Sequence, residues 1–293
     1  MDTETQLREQ APGRAKGIAL LLGGALSNQT GAAVGALAFD AIGPVGVVVV
    51  RQWVAGVALL VLGRPRLRAF TRRQWWPVLA LAAVFATMNL SLYTAVDRIG
   101  LGLAVTLEFL GPLAVVVLGA RNRATLGCAA LAAAGVVLLT RPQPSSDGIG
   151  IGLALLAAAC WACYILLNRT VGQRVPGLEG TAAAGAVSAL GYLPIGLVVL
   201  LAHPPTPAAL ACASAAGLLS SAVPFAVDLL ALRRVPAHFF GILMSANPVL
   251  AAGIGAVVLG EALVTLDWLG IALVVTANTI AVLVTSRVGT VPA

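Results

Sequence analysis

The sequence predicts an all-α membrane protein with ten transmembrane helices, arranged as two inverted five-helix repeats. Three observations predict this fold: the composition, the spacing of apolar runs, and the distribution of basic residues between them. Of the 293 residues, 59% are hydrophobic and only 10% are charged, and the mean hydropathy is +0.97. Because soluble domains carry roughly 25% charged residues, a chain this apolar is expected to have the lipid bilayer as its solvent.

Ten apolar runs approach the roughly 20 residues that a helix needs to cross a bilayer. They cover residues 17–39, 43–62, 75–96, 101–120, 124–140, 149–168, 180–201, 209–231, 237–260 and 265–285. The first run exceeds the roughly 7–15 apolar residues of a signal peptide, so we expect it to remain as the first helix.

These runs divide the chain into five parts. We expect an N-terminal tail over 1–16, a first five-helix repeat over 17–140, a connecting loop over 141–148, a second repeat over 149–285, and a C-terminal tail over 286–293.

The distribution of basic residues predicts on which side of the membrane the termini and loops lie. Ten spans place both termini on one side, and 15 of the 18 Lys and Arg residues then fall on that side. Only Arg98 and Arg141 fall on the other side, and Arg51 lies within the second run. Since cytoplasmic loops are enriched in Lys and Arg, we expect a multi-pass protein of the bacterial inner membrane with both termini cytoplasmic. The net charge of +7 follows from these loops and does not indicate a nucleic-acid partner.

A weak internal repeat supports the division into halves. The segment 95–112 aligns without gaps on 231–248, which matches Arg98 with Arg234 and Pro112 with Pro248. Because each half would contain an odd number of helices, the halves would have opposite orientations, a common plan of secondary transporters.

Two charged residues lie near the middle of predicted spans. Glu108 is the one acidic residue that is clearly central in a span, and Arg51 is the one such basic residue. Charges at this depth are costly and mark substrate or proton pathways. Gly111 and Pro112 follow Glu108, and since proline lacks an N–H, we expect a helix break there.

Each charged residue has two interpretations. Glu108 is either a carboxyl group that exchanges protons or binds a substrate amine, or a structural group paired with Arg51. Arg51 either neutralises Glu108, binds a substrate carboxylate, or extends towards the inner face; we favour a structural ion pair or network.

Uncharged polar residues occur at similar depth in several runs. Asn89 and Tyr93 are four residues apart and so share a helix face, as do Trp161 and Tyr164. Hydrogen bonds between helices are the commoner role for each of these residues, but together they predict a polar central cavity. The candidate site residues are Asn28, Arg51, Asn89, Tyr93, Glu108, Trp161, Tyr164, Ser245 and Asn247, with helix breaks at Gly111, Pro112, Pro224 and Pro248.

The sequence predicts no metal site, cofactor or catalytic group. Cys160 and Cys163 have the spacing of a redox or metal motif, but no second cysteine pair or histidine cluster accompanies them. A phosphate-binding loop followed by Lys and Ser or Thr is also missing from the sequence.

Several segments resemble the drug/metabolite transporter superfamily, and most closely its threonine/homoserine exporter group. They are Val105-Thr-Leu-Glu-Phe-Leu-Gly-Pro112, Ala159-Cys-Trp-Ala-Cys-Tyr164, the run 220–232, Phe240-Gly-Ile-Leu-Met-Ser245, and Leu259-Gly-Glu261. Two positions depart from the group: Asn247 stands where Glu is expected, and Asp228 stands where the longer Glu is expected.

The resemblance implies a secondary transporter that exports small neutral amino acids such as threonine and homoserine by proton-coupled alternating access. The alternative is a transporter with the same fold and another cargo, namely a purine, a nucleoside or an organic cation. A membrane-embedded enzyme and a non-transporting scaffold or receptor are further, less favoured alternatives.

Overall fold

The computed structural model of the chain describes residues 3–119, 123–140, 147–175, 178–224 and 243–288. Within these ranges every regular element is helical. The first half contains α1 (Thr3–Ala36), α2 (Phe39–Gly63), α3 (Arg72–Ile99), α4 (Leu101–Glu108), α5 (Leu110–Gly119) and α6 (Arg123–Thr140). The second half contains α7 (Gly148–Arg174), α8 (Glu179–Gly191), α9 (Leu193–Ala202), α10 (Pro207–Gly217), α11 (Asn247–Ile254) and α12 (Thr265–Val288).

Several helices are long and apolar enough to cross a membrane. In the described ranges these number six: α2, α3, α4 with α5, α6, α7 and α12. The pair α8 and α9, bent by 43°, would make a seventh. Two shorter apolar stretches, Pro207–Ser221 and Asn247–Leu259, contain α10 and α11. The chain is thus a helical, multi-pass membrane protein, while ten spans in two inverted halves remain a prediction.

Helix boundaries differ from the apolar runs where the chain leaves the expected membrane depth. α3 and α7 extend beyond their runs to Arg72 and Arg174, because a helix can continue into water with polar residues. Between the first two apolar runs, α2 already begins at Phe39, but Gly43, with φ of 67°, has a non-helical backbone and forms a kink inside it. Glycine tolerates this left-handed conformation, and Pro44 then starts the regular part of the helix.

Small residues let three helix pairs approach closely. A Cβ atom on Gly56 of α2 would lie 2.7 Å from Cβ of Ala189 in α8. One on Gly102 of α4 would lie 2.9 Å from Cα of Ala252 in α11. On α6, a Cβ at Gly135 would lie 2.8 Å from the carbonyl oxygen of a glycine in α12. Such contacts are typical of membrane helices, where close backbone packing replaces the hydrophobic effect as the source of association.

Two further packings position the centre of the molecule. α3 lies along α7, and α1 packs against α10 and α11. Buried Tyr93 of α3, Val47 of α2 and Ala213 of α10 belong to one apolar cluster. As a result, the middle sections of α1, α2, α3, α4 and α7 face a common centre.

Candidate functional site

A cavity of about 300 Å³ lies among these helices. This volume is at the lower end of the range for small-molecule sites. Eight of the residues predicted from sequence line it: Asn28, Arg51, Asn89, Glu108, Trp161, Tyr164, Pro224 and Asn247. The fold therefore brings polar groups from six helices and from the segment after α10 to one space.

Glu108 reaches the cavity from the end of a short helix. α4 ends at Glu108, and α5 begins at Leu110, so the helix is interrupted at Phe109. The Phe109 ring packs edge-on against the Trp161 ring of α7, with centroids 4.6 Å apart. Glu108 is only 6% exposed, and within the described residues its carboxylate makes no hydrogen bond or ion pair.

Arg51 reaches the same cavity from α2 and is held by two residues of α3. Its guanidinium donates a hydrogen bond to Oδ1 of Asn89 and lies 4.9 Å from the centroid of the Tyr93 ring. Asn89 is itself fixed, since its Nδ2 donates to the carbonyl of Phe85 at 2.8 Å. Arg51 is 8% exposed, and its Nε has no hydrogen-bond partner in the part of the chain that the structure describes.

The structural pairing of Arg51 with Glu108 is not found within the described residues. The two side chains line one cavity and interact electrostatically, but no nitrogen–oxygen contact within 4.0 Å joins them. The physical reason is that Asn89 and Tyr93 hold the guanidinium on the α3 side of the cavity. A guanidinium and a carboxyl group thus face one space without a direct contact between them.

Asn247 closes another side of the cavity. Its Oδ1 accepts a hydrogen bond of 2.9 Å from Nε2 of Gln29 in α1, and its Nδ2 donates to the carbonyl of Met244 at 2.8 Å. Asn247 is 3% exposed. This amide therefore joins α1 to the start of α11 by a neutral contact.

The remaining predicted residues lie around the cavity without lining it. Tyr93 is 2% exposed and supports Arg51 through its ring, while its hydroxyl finds no hydrogen-bond partner among the described residues. Ser245 is buried.

Gly111 lies against the Ala158 carbonyl of α7, and Pro248 occupies the first turn of α11. Pro112 lies in the first turn of α5, and Asp228 lies outside the described residues.

The candidate set chosen from sequence left out four polar residues of the cavity lining: Gln52, Thr181, Ser220 and Ser221. Gln52 lines it next to Arg51 and donates to Oγ of Ser188 in α8 at 2.7 Å. Ser220 also lines it and donates to the carbonyl of Asn28 at 2.9 Å. Each of these residues is a polar residue inside an apolar run, and this was the signal in the sequence that could have identified it. The sequence does not show which face of a helix is turned towards the cavity.

On the side of the molecule where Arg98 lies, polar contacts join the end of α3 to the start of α7, and Glu261 to the start of α4. Arg98 Nε is 3.0 Å from Oδ2 of Asp147, and Asp147 accepts a hydrogen bond of 2.8 Å from the Gly150 amide. This amide, followed by the Arg98 guanidinium, holds the pKa of the Asp147 carboxyl below its ordinary value. Nearby, the Glu261 carboxylate accepts hydrogen bonds from the amides of Leu101 at 2.5 Å and Gly102 at 3.2 Å.

The cavity extends in the opposite direction. Its lining includes Leu59 and Thr181, which lie within about one turn of the helix ends at Gly63 and Glu179. There Arg66 pairs with Glu179 at 3.2 Å. The space is therefore displaced from the centre towards the side of the arginine-rich loop between α2 and α3.

Comparisons with known proteins agree with this architecture. Residues 148–283 match the model of the EamA-like transporter family. The threonine/homoserine exporter RhtA of Escherichia coli (strain K12) is 34% identical over 268 residues, which is 89% of each chain. The protein of the same name from Salmonella typhimurium (strain LT2) is 35% identical over the same shares. An uncharacterized transporter, YwfM of Bacillus subtilis, is 28% identical over 82% of this chain and 84% of its own.

A solved crystal structure has a similar fold. It superposes with a TM-score of 0.60 and covers 96% of this chain and 99% of its own, at 19% sequence identity. At that identity the likeness concerns the fold alone.

Proposed function

Because the chain belongs to the EamA-like transporter family, we propose that it is a secondary transporter that exports small neutral amino acids such as threonine and homoserine. The observation that carries the proposal is a sequence identity of 34–35% over 89% of the chain to exporters named for these substrates. A cavity of about 300 Å³ with both charge signs in its lining suits a small zwitterion.

The proposed architecture is ten spans in two inverted halves, 17–140 and 149–285, with both termini cytoplasmic and the protein in the bacterial inner membrane. Helix packing supports this plan. Helices that the repeat would make equivalent pack against each other: α2 on α8, α4 on α11, and α6 on α12. If a two-fold axis relates the two halves, a helix close to that axis packs against its own symmetry equivalent, which gives pairs of this kind.

Alternating access is supported by the asymmetry of the cavity. Its lining reaches towards the proposed cytoplasmic side at Leu59 and Thr181. On the proposed outer side, Asp147 and Glu261 join helix ends. This conformation corresponds to one in which the substrate enters from the cytoplasm and the outer route is closed.

Proton coupling would depend on Glu108. It is a buried carboxyl group in the cavity lining, and burial disfavours the charged form of a carboxylate. A proton taken up from outside would neutralise the group, and its release to the cytoplasm would complete the exchange for an exported amino acid.

The test is a flux assay in proteoliposomes with an imposed pH gradient and a panel of amino acids, a purine nucleoside and a quaternary ammonium ion. We expect threonine and homoserine to accumulate against their gradients, and we expect a protonophore to abolish this accumulation. The matched variant Glu108→Gln should retain at most downhill exchange. Flux of the nucleoside or the ammonium ion without flux of any amino acid would instead support the alternative cargo.

A further inference from the structure

The strongest unexplained feature of the cavity is a pair of ionisable side chains, Arg51 and Glu108, that are separated and poorly paired. A guanidinium has five N–H donors, and among the described residues the Arg51 side chain makes a single hydrogen bond, to Asn89. Its buried Nε has no partner there. Leaving a buried cation this poorly paired is costly, so an anion bound in the cavity would relieve the cost.

Glu108 presents the complementary situation. Its carboxylate is buried in the cavity lining and is free of hydrogen bonds and ion pairs within the described residues. It also ends α4, and because Pro112 lacks an N–H, the backbone carbonyl of Glu108 lacks its usual helical partner. The carboxylate and this carbonyl together favour a cation.

The two charges are held apart by different supports. Asn89 and the face of the Tyr93 ring hold Arg51 on α3, whereas the packing of Phe109 against Trp161 fixes the end of α4. Neither support needs the other charge, so the space between the charges can accept a ligand. An α-amino acid carries its ammonium and carboxylate on one carbon and can contact both charges at once.

We infer that the cavity selects zwitterions: Arg51 binds the substrate carboxylate, and Glu108 binds the substrate ammonium. Asn89 acts as a positioning residue that directs the guanidinium. The inference rests on the proposed function and adds to it a discrimination between zwitterionic substrates and analogues that carry only one of the two charges. Compounds that lack either charge are rejected even when their side chain and size match a substrate, because one buried protein charge then stays unpaired.

The first test uses wild-type protein and analogues of one substrate. Inhibition of L-threonine counterflow in proteoliposomes, at equal pH on both sides, is measured with L-homoserine, L-threonine methyl ester and N-acetyl-L-threonine. The ester lacks the carboxylate and the acetyl compound lacks the ammonium. Since an unpaired buried charge costs at least a factor of roughly 30 in affinity, we expect each analogue to inhibit at least that much more weakly than homoserine.

The second test assigns each charge to a residue. Arg51→Gln should weaken threonine binding, measured by thermal stabilisation of the purified protein, and should raise the affinity for the methyl ester, because no buried guanidinium is then left unpaired. Glu108→Gln should weaken threonine binding and should raise the affinity for N-acetyl-L-threonine, because no buried carboxylate is then left unpaired. Arg123→Gln, a matched change at an exposed residue of α6 outside the cavity lining, should change neither.

The outcomes separate the two proposals. If amino acids are bound and carried but the ester and the acetyl compound inhibit as well as homoserine, the zwitterion inference is wrong and the proposed function stands. If no amino acid is bound or carried, both are wrong. Should either variant fail to fold, the analogue series on the wild type still decides whether the cavity selects zwitterions.

Discussion

Glu261 offers a stability prediction that depends on one long-range contact. Its carboxylate accepts hydrogen bonds from the first amides of α4, those of Leu101 at 2.5 Å and Gly102 at 3.2 Å, across about 160 positions of sequence. It also fills the space beside Gly100, where a Cβ atom would lie 3.0 Å from the Glu261 carboxyl carbon. The side chain therefore supplies the cap that α4 lacks from its own sequence.

Glu261→Gln keeps the size of the side chain and removes its charge. The amide oxygen can still accept one of the two hydrogen bonds, but the NH₂ group then faces the other backbone N–H. A hydrogen bond to a charged group contributes about 1.5–3 kcal/mol, so the variant should lose about that much free energy of unfolding. This corresponds to roughly a 10- to 150-fold change in the unfolding equilibrium.

The assay is reversible unfolding in mixed micelles with increasing SDS, followed by tryptophan fluorescence. Asp97→Asn serves as the matched control, because it also removes one acidic charge, at an exposed position without a hydrogen bond or ion pair in the described part of the chain. The reasoning is refuted if Glu261→Gln and Asp97→Asn both remain within about 0.5 kcal/mol of the wild type.

Two further predictions concern packing and pH. Gly111→Ala would place a Cβ atom against the carbonyl of Ala158 and should lower the free energy of unfolding by about 1–3 kcal/mol, whereas Gly152→Ala, with open space around it, should be neutral or slightly stabilising in the same SDS assay. Asp147→Asn preserves a helix cap but loses the charge next to Arg98, so its melting temperature should fall below that of the wild type at pH 7. Since the native pKa of Asp147 lies below its ordinary value of 3.8, this difference should persist above that pH and shrink as the pH falls through the native pKa.

Each of these predictions has a clear contrary result. Equal stability of Gly111→Ala and Gly152→Ala would mean that the close approach of α5 and α7 is not maintained. A melting difference for Asp147→Asn that is constant from pH 7 to about pH 3 would mean that the lost charge is not its cause.

Part of the site was predictable because the cost of burying a charge is visible in sequence. Glu108 and Arg51 were recognisable as charges within apolar runs, and Pro112 indicated an interruption close to the carboxylate. Asn28, Asn89, Trp161, Tyr164 and Asn247 were recognisable as polar or amphipathic groups at similar depth, and all of them line the cavity. Tyr93 and Ser245 do not line the cavity. A side chain reaches the cavity only from one face of its helix, and an apolar run alone does not reveal which face that is.

The sequence by itself determined that this protein is a helical membrane protein and that Arg51 and Glu108 lie within apolar runs. These properties follow from local composition and from the need of every backbone group in lipid to be hydrogen-bonded within its own segment. Tertiary structure alone decided that Asn89 holds Arg51 away from Glu108, that Gln29 bonds Asn247 across 218 positions, and that Glu261 caps α4. These contacts depend on the rotation and packing of whole helices, which arise from many small interactions between distant segments and leave no signal in any single stretch of sequence.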